Sequence, residues 1–160
     1  MKQSTCFALI FAAVLSGGLV SAHAEAVSPA VQTTRNESDG RRTSMRISIK
    51  LGTKVITASL TDSATSRDFV SLLPITIELE DYAATEKIGY LPRKLSTVGA
   101  PAGTEPSIGD FAYYAPWGNL ALFHKGFRYS SGLIPLGKIE SGLEAVREPG
   151  SAMATIELID

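Results

Sequence analysis

The chain has 160 residues, 44% of them hydrophobic, with 15 Lys and Arg against 16 Asp and Glu. That length holds one domain with a real core, and a formal charge of −1 argues against a general nucleic-acid or anionic-membrane binder. One cysteine, Cys6, excludes an internal disulfide, and only two histidines, His23 and His124, are present.

The first residues predict a secretory signal peptide over 1–24. Met1-Lys2-Gln3 is a short basic start, and Cys6–Val20 is an apolar run interrupted by Ser16-Gly17-Gly18. Ala22-His23-Ala24 supplies the small-x-small pattern of a cleavage site after Ala24. The run is too short and broken for a stable membrane anchor, and Cys6 lies too far from the cleavage point for lipid attachment. The expected location is periplasmic or secreted. Cleavage removes Cys6 and His23, which leaves no thiolate nucleophile and no metal site with two His ligands in one chain. Neither a metal nor a cofactor is expected. Residues 25–44 are small and polar, without helical or strand period, and read as a flexible linker.

The domain spans 45–160. Met45, Ile47, Ile49 and Leu51 alternate with Arg46, Ser48 and Lys50, a half-buried strand. Gly52-Thr53 turns the chain into a second strand, Lys54–Leu60, and the two read as a hairpin. Thr65-Ser66-Arg67-Asp68 resembles a capping box, followed by Phe69, Leu72 and Leu73 on one helical face, with Pro74 as the stop. Ile75, Ile77 and Leu79 alternate in the next strand, and Ile88–Leu91 is a short one. Residues 96–109 form a long loop. Phe111–Ala115 and Leu120–Lys125 pair around the turn Pro116-Trp117-Gly118-Asn119. A second box, Ser141 to Glu144, starts one or two helical turns. Ala152–Leu158 alternates as the last strand. Many short strands with few helices point to a barrel or sandwich. Pairing the first strand with the last closes a barrel and removes two exposed edges.

Four segments carry a family likeness: MRISIKLG from Met45, DFVSLLPITIELEDY from Asp68, EKIGYLP from Glu86, and IGDFAYYAPWGNLALFHKGFRYSSGLIPLGKI from Ile108. In this order and spacing the chain resembles the bacterial cyclophilin-like domain family across 45–160. The resemblance implies an all-β fold, a closed β-barrel of about eight strands with one or two short helices plugging its ends. It implies no assigned reaction. Prolyl-isomerising cyclophilins carry a stretch of the form F-x-x-P-x-F-M-x-Q-G-G-D with a nearby Arg. The comparable stretch here, TVGAPAGTEPSI before Gly109-Asp110, lacks the Phe-Met pair, the Gln and the Arg.

Trp117 sits in a turn, where it serves either as a stacking platform or as a lid on the core. Tyr113 and Tyr114 are adjacent in a strand and face opposite sides. His124 shares a strand face with Leu120 and Leu122; it is either a hydrogen-bonded structural residue or a general base oriented by Glu86 or Tyr129. Glu80-Asp81-Tyr82 and Glu86-Lys87 bracket a solvated loop. Lys125, Arg128 and Tyr129 can meet a carboxylate or a peptide carbonyl. No G-x-S-x-G elbow or phosphate loop is present, and no catalytic residue can be named. The candidate ligand-binding residues are Tyr82, Tyr90, Trp117, His124, Arg128 and Tyr129. The expected function is an exported, non-catalytic binding module for a small molecule or a peptide. The alternative is a periplasmic prolyl isomerase, with Arg128 as its cation and Tyr90 or Phe127 as its apolar wall.

Overall fold

The computed structural model describes residues 45–159. The expected signal peptide, the linker and Asp160 lie outside the described residues. Alternation in the first strand sets the barrel wall: β1 (Arg46–Leu51) buries Ile47, Ile49 and Leu51. Gly52, with φ of +61°, turns the chain into β2 (Lys54–Leu60), which pairs antiparallel and sets Ile56 opposite Ile49 and Ala58 opposite Ile47. Sharing one face, these residues begin the core.

The helix α1 (Ala64–Val70) follows, but its cap is not the expected one. Ser63 is the N-cap, and its Oγ accepts the Ser66 N–H at 3.0 Å. Thr65 and Ser66 are already helical and buried. Asp68 is engaged elsewhere. It takes two bonds from the Arg93 guanidinium, at 2.7 and 3.0 Å, and one from the Ser96 N–H at 2.6 Å. These bonds, the arginine's first, hold its carboxyl below the ordinary aspartate range. Phe69 is fully buried and packs on Phe111 with ring centroids 5.6 Å apart.

The remaining strands are β3 (Ile75–Tyr82), β4 (Glu86–Tyr90), β5 (Gly103–Thr104), β6 (Asp110–Tyr114), β7 (Asn119–Phe123), β8 (Ser130–Ser131), β9 (Leu133–Ser141) and, after the helix α2 (Leu143–Val146), β10 (Ala152–Ile159). Eight antiparallel strands close in the order β1-β10-β3-β4-β7-β6-β9-β2, while β5 and β8 form a separate two-stranded ladder. The fold is therefore the closed eight-stranded barrel with two short helices that the sequence implies. The first strand pairs along its whole length with the last, Arg46 opposite Ile159 to Leu51 opposite Ala154.

The strand β9 is an element that sequence alternation does not mark. Register shifts at Thr57/Ala58 and Phe111/Ala112 interrupt its pairing with β2 and β6. Gly137 sits where it crosses closest to β2: an added Cβ would lie 1.9 Å from the Ser59 carbonyl oxygen. The expected Ser141–Glu144 box does not form either. Gly142 is the N-cap of α2, with φ of +79° and no side-chain cap, while Ser141 ends β9 and shares a 2.7 Å hydroxyl bond with Thr57. The helix α1 leaves from the Leu60 end of β2 and α2 lies by its Val55 end, so Phe69 and the pair Ala145 and Val146 enter one core from opposite ends.

Candidate functional site

Cross-strand partners share a face. Glu86, Ile88 and Tyr90 of β4 stand opposite Phe123, Ala121 and Asn119 of β7, and Ala112 and Tyr114 of β6 stand opposite Ala121 and Asn119. The intervening residues Lys87, Leu120, Leu122, Phe111 and Tyr113 belong to the inner face. The first set is therefore outside the barrel, yet Ile88, Ala112, Ala121, Phe123 and Leu133 are buried and form an apolar cluster of their own, with Tyr114 packed against it. All five residues of β7 are buried, although only alternate ones face the core.

The chain after β7 accounts for that burial. Residues 126–132 are tied to 102–106: Phe127 N–H donates to the Pro106 carbonyl at 3.1 Å and Gly132 N–H to the Ala102 carbonyl at 2.8 Å, and β8 pairs with β5. Phe127–Ser131 thus border a groove of about 430 Å³ on the outer face. Ile88, Ala121, Phe123 and Leu133 make its floor, and Tyr82, Ala83 and Trp117 border it from the β3–β4 and β6–β7 turns. A wider, shallower depression adjoins it through Phe127 and Arg128.

Besides Ser130, Ser131 and the tyrosine hydroxyls, three polar side chains line this groove. Asn119 is 1% exposed; its Nδ2 donates to the Leu120 carbonyl at 3.0 Å, and its Oδ1 has no hydrogen-bond donor. Glu86 accepts the Thr85 hydroxyl at 2.9 Å, and burial pushes its carboxyl above the ordinary glutamate value of 4.5. Arg128 lies over the Phe127 ring, 5.2 Å from its centroid. Trp117 meets Tyr82 and Tyr114 edge-on, each at 5.4 Å, and remains 48% exposed. The arrangement offers a ligand an apolar bed, aromatic edges, an amide, a carboxylate, several hydroxyls and one cation.

The cyclophilin-like family model matches residues 49–157. The chain belongs to the cyclophilin-like family. The solution structure of a hypothetical protein from Archaeoglobus fulgidus superimposes on this barrel with a TM-score of 0.52 at 20% identity, covering 71% of this chain and 94% of that one. At that identity the likeness concerns the fold. No curated protein matches the chain. The match shows the cyclophilin-like family without the bacterial restriction of the sequence resemblance.

On this cyclophilin-like barrel, four of the six candidate residues meet at the groove: Tyr82, Trp117, Arg128 and Tyr129. Tyr90 is on the same outer face, level with Asn119, but is exposed and outside the groove walls. His124 follows the end of β7 at the barrel end closed by α2. Its backbone N–H donates to the Thr85 carbonyl at 3.0 Å, and its imidazole is held below the ordinary value of 6.5 by burial first, then by Lys125 and Arg147. Glu86, expected as its orienting partner, points to the opposite face of the wall. Sequence reasoning did not place Asn119 and Glu86 in a ligand site, nor Ile88 and Phe123 on its floor. The one available signal was β7 itself, Asn-Leu-Ala-Leu-Phe, too apolar on both faces for a strand with a solvated side. Among the described residues, no three His, Cys, Asp or Glu side chains converge as a metal site, and no helix is long and apolar enough to cross a membrane.

Proposed function

We propose that the outer-face groove is a ligand site and that the chain is an exported, non-catalytic binding module for a small molecule or a peptide. The observation that carries this reading is Asn119 Oδ1. Buried polar atoms in proteins nearly always have a partner, and Asn119 lines a groove whose floor is otherwise apolar. A bound N–H or O–H supplies the missing donor. The volume falls within the range of small-molecule sites, which combine an apolar lining with a few polar anchors.

Trp117 is the chain's one tryptophan and borders the groove, so its fluorescence reports occupancy directly. Trp117→Phe, which loses that signal and is titrated by calorimetry instead, is expected to keep the fold and weaken binding several-fold; an unchanged affinity removes Trp117 from the site. Export is tested separately by N-terminal sequencing of the protein recovered outside the cytoplasm, which is expected to begin at Glu25.

A second reading, prolyl isomerase, has one observation in its favour: Arg128 and Phe127 stand together in the groove, a cation beside an apolar ring. Exchange spectroscopy on an Ala-Pro peptide decides between the two. Acceleration well beyond the spontaneous tens of seconds, lost in Arg128→Ala, makes the protein an isomerase. Localised shifts without acceleration support a binding module.

A further inference from the structure

Among the acceptors lining the groove, the protein leaves Asn119 and Glu86 short of donors. Asn119 Oδ1 has none. Glu86 receives only the Thr85 hydroxyl, and none of the ion pairs among the described residues includes it or Arg128. Glu86 is level with Phe123, and Asn119 stands four residues from Phe123 along β7. At ~3.3 Å per residue the two positions are about 13 Å apart, with apolar Ile88 and Ala121 between them. Tyr82 is directly opposite Glu86 on β3, with 41% of its surface exposed. A cation on that carboxylate would therefore also meet an aromatic ring.

The spacing and the chemistry fit one kind of occupant. Four residues of extended peptide span about 13 Å. A main chain offers N–H groups to an orphan acceptor and carbonyls to a guanidinium, which suits Asn119 and Arg128. A lysine or arginine side chain supplies the cation that Glu86 lacks, and Arg128 cannot supply it while stacked on Phe127. We infer that the groove takes an extended peptide segment whose Lys or Arg side chain pairs with Glu86 beside Tyr82, and whose main-chain N–H, about four residues along, bonds to Asn119 Oδ1. This rests on the groove being the ligand site.

The test titrates the purified protein, by Trp117 fluorescence and calorimetry, with the blocked peptide Ac-Ala-Lys-Ala-Ala-Ala-Ala-NH2, its norleucine counterpart, and butylammonium alone. The lysine peptide is expected to bind at least ~10-fold more tightly than the norleucine peptide at low salt, since a desolvated ion pair contributes on that order. The preference should collapse in Glu86→Gln, a near-isosteric change whose fold is checked by thermal melting. Asn119→Leu should weaken both peptides alike. Equal affinity for the two peptides, or a lysine preference that survives Glu86→Gln, overturns the cation assignment and leaves the groove reading intact. Butylammonium binding as tightly as the lysine peptide makes the occupant a free organic cation and overturns the peptide. Binding whose NMR shifts lie away from 82–88 and 117–131, or no binding at all, removes the groove reading as well.

Discussion

Asn119 stands at the first position of β7 with one half of its amide satisfied and the other not. A buried acceptor without a donor costs roughly 1–3 kcal/mol, while the bond its Nδ2 makes contributes about 0.5–1.5 kcal/mol. Asn119→Leu removes both and keeps the same number and branching of side-chain heavy atoms. The expected outcome is a domain more stable by about 1 kcal/mol, a rise of a few degrees in thermal midpoint, that binds its ligand less well. A melting curve beside a titration separates the two effects. Lower stability would mean that the Leu120 contact outweighs the orphan oxygen, and unchanged affinity would mean that no ligand atom reaches it. Tyr113 is the contrasting residue. It is buried in the core, and its hydroxyl oxygen accepts the Leu95 N–H at 3.0 Å. Tyr113→Phe leaves that buried N–H without a partner and should cost roughly 1–3 kcal/mol, read as a shift in urea midpoint.

At the scale of elements, β9 shows what positions the groove wall. It must cross β2 and β6 while carrying two register shifts, and it does so because Gly137 lets the backbones approach. Gly137→Ala brings a carbon against the Ser59 carbonyl, a backbone atom that no rotamer change can move aside. The expected loss is at least ~3 kcal/mol, the upper end for overpacking, measured by denaturant unfolding; a loss under about 1 kcal/mol would mean that the strands separate freely. The same features explain which elements were legible in the sequence. The strands β1, β2, β3 and β10 have one face in the core and one in solvent, so their alternation names them. The strands β7 and β9 do not alternate, because a loop covers the outer face of one and bulges with Pro135 and Gly137 interrupt the other. Each expected capping box lost one member to a partner elsewhere, Asp68 to Arg93 and Ser141 to Thr57. Turn aromatics pointed to Tyr82 and Trp117. Glu86 and Asn119 stayed hidden because their shared face depends on how β4 and β7 are registered, which no local pattern encodes.

The whole barrel is fastened at the end closed by α2 by a ring of three bonds. Lys87, 2% exposed, donates from Nζ to Asp81 Oδ1 and to the Gly150 carbonyl, each at 2.6 Å, and the Gly150 N–H returns to Asp81 Oδ2 at 2.6 Å. This joins β3, β4 and the turn before β10. Asp81→Asn leaves the Lys87 charge buried without its counterion. The expected cost lies toward the lower end of the roughly 3–5 kcal/mol for such a loss, because Asp81 is itself 41% exposed and partly screened by water. The ring also sets how acid unfolds the domain. The Lys87 bond first, and the Gly150 N–H next, hold the Asp81 carboxyl below its ordinary 3.8. Its contribution is complete above that value and disappears as pH falls through the folded one. His124, nearby, is held below 6.5 by burial and by Lys125 and Arg147. Between its folded value and 6.5 the unfolded chain binds more protons, so stability rises with pH across that window. Glu86 acts the other way: burial raises its carboxyl, and protonating it relieves the folded state. Urea midpoints followed downward in pH should therefore fall first through the histidine window, flatten as Glu86 takes up its proton, and fall again once Asp81 and Asp68 do. His124→Gln should abolish the first decline while leaving the second; a first decline that persists in that variant assigns it to another group and frees His124 from any part in the pH response. Asp81→Asn should shrink the second decline without abolishing it, since Asp68, held low by Arg93 and the Ser96 N–H, still loses its charge in the same range.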